Sequence, residues 1–204
     1  MLPSALTFEN YSPHRVVMVF TILNIICATG LFWMISFIKN YKKIFYPAVG
    51  VFVIALIVNL VYFIHMYFVN FPFEKSQYIQ YPFKQVAQYA WSQYQNFDNI
   101  VFDPKFGDVE PEIGVGAHYY FAFYGKVPPA KFQKEYHVGS KPREVIFDKF
   151  SIREVYWPAD RDLKNTLIIV SPWSVPEGDI ADKSKIIKRF NFYDGKLAFY
   201  AIKL

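Results

Sequence analysis

Residues 16–69 read VVMVFTILNIICATGLFWMISFI (Val16–Ile38), KNYKK (Lys39–Lys43) and IFYPAVGVFVIALIVNLVYFIHMYFV (Ile44–Val69). The first and third runs carry no Asp, Glu, Lys or Arg. At about 1.5 Å per residue, a helix of either length crosses a hydrocarbon core of about 30 Å. Lipid offers no water to unpaired backbone groups, so segments of this kind must be helical there. The fold class expected is therefore a pair of transmembrane helices, 16–38 and 44–69. Pro47 falls within the first turn of the second helix as read here, where a missing N–H does least harm.

The connector decides orientation. Lys39, Lys42 and Lys43 crowd into loop 39–43, and short loops rich in Lys and Arg stay on the cytoplasmic side. Residues 1–15 and 70–204 then both face outward. Trp33, Tyr41, Tyr46, Tyr62 and Tyr67 suit interfacial anchors or helix packing equally well. Asn59 and His65 read either as a polar intramembrane site or as a helix–helix hydrogen bond and an interfacial side chain.

The whole chain fits this picture. Its 204 residues are 53% hydrophobic, 21% aromatic and 19% charged. That composition excludes a disordered chain. The formal charge of +5 comes from Lys and Arg scattered among acids, without a nucleic-acid-binding motif. The single cysteine, Cys27, lies in an apolar run, so neither a disulfide framework nor a Cys-based zinc site is expected. No cofactor or metal is expected.

Composition changes at NFPFEKSQYIQYPF (Asn70–Phe83). Beyond it, PFKQVAQYAWSQYQNF has Phe83, Val86, Ala87, Ala90, Trp91 and Tyr94 at helical spacing. NIVFD (Asn99–Asp103) reads as a strand. VEPEIGVGAHYYFAFYGKVPP (109–129) reads as a second helix, with acids near its start and Gly125 as its stop. REVIFDKF and IREVYW are strand-like, PADRDLKN is a turn or short helix, and TLIIVSP is a buried-type strand. The tail KIIKRFNFYDGKLAFYAIKL is two strands joined by a tight turn at Asp194-Gly195. Mixed elements over about 130 residues predict a small extracytoplasmic α/β domain with its own core.

Few residues stand out for chemistry. Glu110 and Glu112 could pair for acid–base work or complement a helix N-terminus. Gly114 and Gly116 lack the third glycine and preceding strand of a dinucleotide loop. His118 and His137 have no metal-ligand spacing with Cys or acids. The run YYFAFY, Trp157 and Trp173 could stack on a sugar or pack in a core. His14 and Arg15 differ because of position: they follow Pro13 at the outer lip of the first span, the depth of a lipid phosphate. Arginine presents a planar fork to phosphate oxygens and histidine can donate a hydrogen bond. Ordinary snorkelling of Arg15 is the equal alternative.

LPSALTFENYSPHR (Leu2–Arg15) resembles a stretch of the GT-C glycosyltransferases that use lipid-phosphate sugar donors, the relatives of protein O-mannosyltransferases and aminoarabinose transferases. The matching positions are Pro3, Leu6, Thr7, Pro13, His14 and Arg15, with Arg15 directly after His14 where a small gap would be expected. The ordered patterns from YPFKQVAQYAWSQYQNFDNIVFD through FYGKVPPAKFQ, VYWPADRDLKNTLIIVSP and VPEG to the C-terminal hairpin are similar to the C-terminal domain of many bacterial members. The resemblance implies the carboxyl end of a longer enzyme, from a truncated frame or split gene beginning at an internal methionine. Its missing amino-terminal membrane part would be a partner and would carry the catalytic acids in an early outer loop. The implied donor is a polyprenyl-phosphate sugar, and the implied location is the cell membrane. His14 and Arg15 would steady the departing lipid phosphate; no catalytic residue is assigned in this chain. The competing expectation is a non-enzymatic two-span membrane protein displaying an outer module for binding or assembly.

Overall fold

The computed structural model describes residues 17–106, 112–113, 116–141 and 143–204. Contacts divide the chain into two units, residues 1–64 and 65–204.

The first unit holds α1 (Val17–Ile38) and most of α2 (Lys42–His65). Both are long and apolar enough to cross a membrane, by length and composition. No residue of α2 is buried, and large side chains such as Phe32, Phe37, Ile54 and Val58 are exposed. A helix that is apolar on every side has no stable place in water. Within α1, Thr29 folds its hydroxyl back onto the Ile25 carbonyl at 2.7 Å, which satisfies it without an outside partner.

The connector differs from expectation. Only Lys39, Asn40 and Tyr41 lie between the helices; Lys42 and Lys43 form the first turn of α2. The Tyr41 carbonyl accepts from the N–H groups of Ile44 and Phe45, at 2.9 Å each, and this starts the helix before the apolar run. Pro47 accordingly falls in the second turn, where its ring removes a hydrogen bond to the Lys43 carbonyl.

In the second unit the helical run goes on through a π-helical turn, Met66–Asn70, into α3 (Phe71–Lys75). A mixed sheet follows. Its strands are β1 (Asn99–Phe102), β4 (His137–Val138), β5 (Val145–Phe147), β6 (Phe150–Ile152), β7 (Thr166–Val170), β8 (Ile186–Asn191) and β9 (Leu197–Lys203). Their order is β4-β5-β6-β1-β7-β9-β8. The centre, β6-β1-β7, is parallel and the flanks are antiparallel. A separate short ladder pairs β2 (Lys105–Phe106) with β3 (Glu112–Ile113).

Period-two alternation sorts the central side chains. Ile100, Phe102, Leu167, Ile169, Phe199 and Ala201 face one layer, covered by α4 (Phe83–Ser92) and α5 (Ala117–Tyr124). That layer is strongly aromatic: Phe83 meets Phe102, Phe106, Tyr120 and Phe199 with ring centroids 5.3–5.8 Å apart. Val101, Ile168, Val170, Tyr200 and Ile202 face the other side, against Val175 and Ile180 from the segment after β7. The tail hairpin turns as expected, with Gly195 at φ 85°, a left-handed position suited to glycine.

The second helix is much shorter than expected. It starts at Ala117, capped by Gly116 at φ 73°, and Glu112 lies in β3 rather than in a helical first turn. Its dipole role is thereby withdrawn; Glu110 lies outside the described residues. The helix does end before Gly125, but Gly125 is right-handed (φ −77°) and the left-handed residue is Lys126. The N–H groups of Lys126 and Val127 close the end on the carbonyls of Phe123 and Ala122, each at 3.0 Å. Gly125 is needed for space instead: a Cβ there would meet Trp91 Cε2 at 2.1 Å. The Trp91 indole lies across that backbone and donates to the Phe121 carbonyl at 2.7 Å. A short helix α6 (Pro129–Glu135) leads into β4. The strand expected over Ile152–Trp157 stops at Ile152, because Arg153 turns into a buried charge network and α7 (Trp157–Asp160) begins.

Candidate functional site

His14 and Arg15, the lipid-phosphate candidates, lie outside the described residues, as does Gly114. The remaining sequence candidates are spread between the core and the surface of the domain. His118 is half-buried, its ring 4.1 Å from Tyr119 and 5.5 Å from Tyr136, and parallel to Phe132. Its Nε2 is buried without a partner among the described residues, and burial holds the imidazole below its usual pKa. His137 is exposed, with Nδ1 2.9 Å from the Glu135 carbonyl. Among the described residues no group of three or more His, Cys, Asp or Glu could hold a metal ion. Trp157 donates to the Asp179 carbonyl at 3.1 Å, and Trp173 packs edge-on against Phe192. Within YYFAFY, Phe121 is buried while Tyr119 and Phe123 are exposed.

The fold assembles a different cluster. Each central parallel strand is followed at its carboxyl end by a buried polar residue: Asp103 after β1, Arg153 after β6 and Ser171 after β7. In open sheets with parallel strands this is the edge where ligands sit, at the point where connections leave in opposite directions. Here the connection after β1 carries α5 over one face of the sheet, while the one after β6 packs Val155 and Trp157 against the other, which makes such a point between β1 and β6.

Asp103 is fully buried. One oxygen accepts from Lys105 N–H and the other from Val155 N–H, both at 2.9 Å. Burial pushes its carboxyl above the usual range, against the opposing pull of these N–H groups and the Ser174 hydroxyl. Ser171 donates to the Lys105 carbonyl at 2.5 Å. The carboxylate and the hydroxyl together pin the loop after β1 and the segment after β6.

Arg153 is 4% exposed and meets Asp160, 2% exposed, in a two-pronged pair: Nη1 to Oδ2 at 2.8 Å and Nη2 to Oδ1 at 2.9 Å. Its Nε lies 3.4 Å from Glu144, which also accepts from the Ser151 hydroxyl at 2.7 Å. Tyr156 N–H and Lys141 Nζ complete the shell of Asp160, at 2.8 and 3.1 Å. Burial pushes the Asp160 carboxyl up, yet the hydrogen bonds and charge of Arg153, Tyr156 and Lys141 outweigh it and hold the group below the usual range. Two cations and two carboxylates balance. A cleft of about 330 Å³ and a groove of about 310 Å³ adjoin the cluster and share Lys141 and Arg153 in their walls.

The chemistry of this arrangement is restraint. The Arg153 fork is taken by Asp160, and both oxygens of Asp103 and of Asp160 already accept hydrogen bonds. Lys141, half exposed, pairs with Asp160 at the rim. Sequence reasoning missed the cluster although its members share one trait, a polar residue directly after an apolar strand: NIVF-D, FSI-R, TLIIV-S.

No protein-family model, no curated protein and no solved structure matches this chain significantly, so its function is argued from its own residues.

Proposed function

We propose that the chain is the carboxyl part of a membrane glycosyltransferase of the GT-C kind, which uses a polyprenyl-phosphate sugar, and that its α/β domain is a non-catalytic extracytoplasmic module. The observation that carries the membrane half of this reading is the pair of helices α1 and α2, apolar and exposed on all sides, with Lys39, Lys42 and Lys43 between and at the start of them. Such surfaces need lipid or further helices around them. The lysines hold the connector in the cytoplasm and leave the domain outside. The module half rests on the paired state of the buried charges: groups that neutralise one another specify loop geometry rather than turn over substrate.

In this reading α1 and α2 close the membrane part of the enzyme, and His14 and Arg15 at the outer lip contact the donor phosphate. The transferring carboxylate comes from a preceding membrane part, so the 1–204 chain captures donor without turnover. The test uses the chain in liposomes with a radiolabelled polyprenyl-phosphate sugar. Capture that weakens in Arg15→Ala, with no sugar released to acceptor, is the expected result. Turnover by the chain alone would overturn its status as a part, and capture unchanged in Arg15→Ala would remove the phosphate role.

A second reading has its own support. The domain's complete aromatic core on one face of the sheet suits a free-standing two-span protein that displays a module for assembly. In that case neither donor capture nor an effect of Arg15→Ala is seen.

A further inference from the structure

The end of the second apolar run and the segment after it are aromatic and exposed. Phe68, Phe73 and Tyr78 are 66%, 54% and 64% exposed. Phe68 and Phe73, with Val69, Asn70 and Glu74, line a cleft of about 420 Å³ whose other side is a residue distant in sequence, Tyr193 at the tip of the β8–β9 hairpin. Tyr193 is half exposed and meets Tyr81 edge-on, centroids 5.3 Å apart. Lys75 lies over the Tyr78 ring at 5.2 Å, and Lys196 extends from the hairpin tip, 74% exposed, with its ammonium 3.4 Å from the Asp194 carboxylate.

Depth follows from chain geometry. The apolar run ends at Val69, and Phe73 lies four residues on, about 6 Å along a helix. The headgroup layer on each side of a bilayer is about 5–7 Å deep. Tyr193 borders the same cleft as Val69 and Phe73, which brings the hairpin tip beside the end of the apolar run. Tyrosine, with an apolar ring and a polar tip, is the residue type that partitions into this layer, and lysine beside it favours anionic headgroups.

We propose that the β8–β9 hairpin tip, Tyr193 with Lys196, is a membrane-contacting device that enters the phospholipid headgroup layer beside Phe73 and Tyr81 and fixes the domain against the bilayer. This rests on the membrane reading of α2. It assigns the tight Asp194-Gly195 turn a role: the turn presents Tyr193 and Lys196 at the end of a stiff two-stranded arm. Strand register places the tip beyond the Val170–Tyr200 end of β7 and β9, and residue 164 beyond the opposite, Leu167–Lys203 end.

The test uses the full chain, with Cys27→Ala, in bilayers of phosphatidylcholine and phosphatidylglycerol. A small fluorophore is placed by Lys196→Cys at the tip, by Lys164→Cys at the opposite end of the sheet, or by Ile57→Cys within α2. Headgroup-level nitroxide lipids are expected to quench the tip label about threefold more than the label at 164, since interfacial aromatics hold the tip at that depth. Tyr193→Ser added to Lys196→Cys brings the tip down toward the value at 164. Label 57 is quenched by nitroxides deep in the acyl chains. Equal quenching at 196 and 164, or no effect of Tyr193→Ser, with label 57 quenched, overturns the hairpin proposal and leaves the membrane reading standing. Failure to quench label 57 overturns both.

Discussion

Replacing Arg153 by Met tests whether the buried charge cluster is a structural restraint. Methionine keeps an unbranched apolar stem but removes the one buried cation that, among the described residues, faces Glu144 and Asp160, which are 6% and 2% exposed. Removing one partner from a buried pair costs about 3–5 kcal/mol, because the remaining charge stays desolvated. Lys141 recovers little of this: it is half exposed, and pairs of that kind contribute about 0–1 kcal/mol. A loss of about 3 kcal/mol or more at pH 7 is expected, a large share of the about 5–15 kcal/mol typical of a domain.

The pH dependence changes sign as well. In the wild type the Asp160 carboxyl is held below its usual range, so its contribution is fully present above the unfolded value and is lost as pH falls through the native one. Without Arg153, burial dominates and raises the carboxyl, so the variant recovers stability as pH falls from neutral into the acid range. The assay is urea unfolding of the full chain with Trp33→Phe in nanodiscs, followed by fluorescence of Trp91, Trp157 and Trp173, from pH 4 to 8. Arg153→Met/Asp160→Leu, which removes both charges, is expected to be more stable than Arg153→Met alone. A loss under about 1 kcal/mol at pH 7, or an unchanged acid slope, would refute the reasoning: the magnitude would then be that of a solvated surface pair.

Gly125→Ala forces a Cβ into the Trp91 indole, whose hydrogen bond to Phe121 resists movement. Overpacking and a weakened hydrogen bond together predict a loss of about 2–4 kcal/mol, much of it relieved when Trp91→Phe is added; urea unfolding of the single and double variants reads the coupling. His118 is held neutral by burial, so its share of stability is lost as pH falls below the ordinary histidine value. His118→Phe, with aromatic neighbours on several sides, should flatten the stability profile between about pH 5 and 7, measured by thermal unfolding.

The parts of the fold legible in the sequence are those set by local pattern. Uncharged length produced α1 and α2, helical spacing of Phe83, Val86, Ala87 and Ala90 produced α4, and the apolar runs Asn99–Phe102 and Thr166–Val170 produced the two longest-buried parallel strands. The turn glycine Gly195 marked the hairpin. Features set by distant partners were not legible. The start of α5 depends on Gly116 and on a ladder between β2 and β3, which no helical periodicity reports. The need for Gly125 depends on Trp91, far away in the chain. Asp103 finds its N–H donor at Val155, 52 residues on, and Glu144 reaches Arg153 only because β5 and β6 pair. The sequence candidates were chosen for residue type and motif. The cluster at the strand ends is defined by topology, which places unremarkable Asp, Arg and Ser side by side.

In the topology proposed above, α1 and α2 cross the membrane with the connector inside and the sheet domain outside. Labelling of introduced cysteines in intact cells tests it most directly, with Cys27→Ala as background and a maleimide that does not cross membranes. Gly178→Cys, at a position with open space around it, should react from outside, and Asn40→Cys in the connector should react only after permeabilisation. Reaction at residue 40 from outside with residue 178 protected, or reaction at both without permeabilisation, would contradict the account.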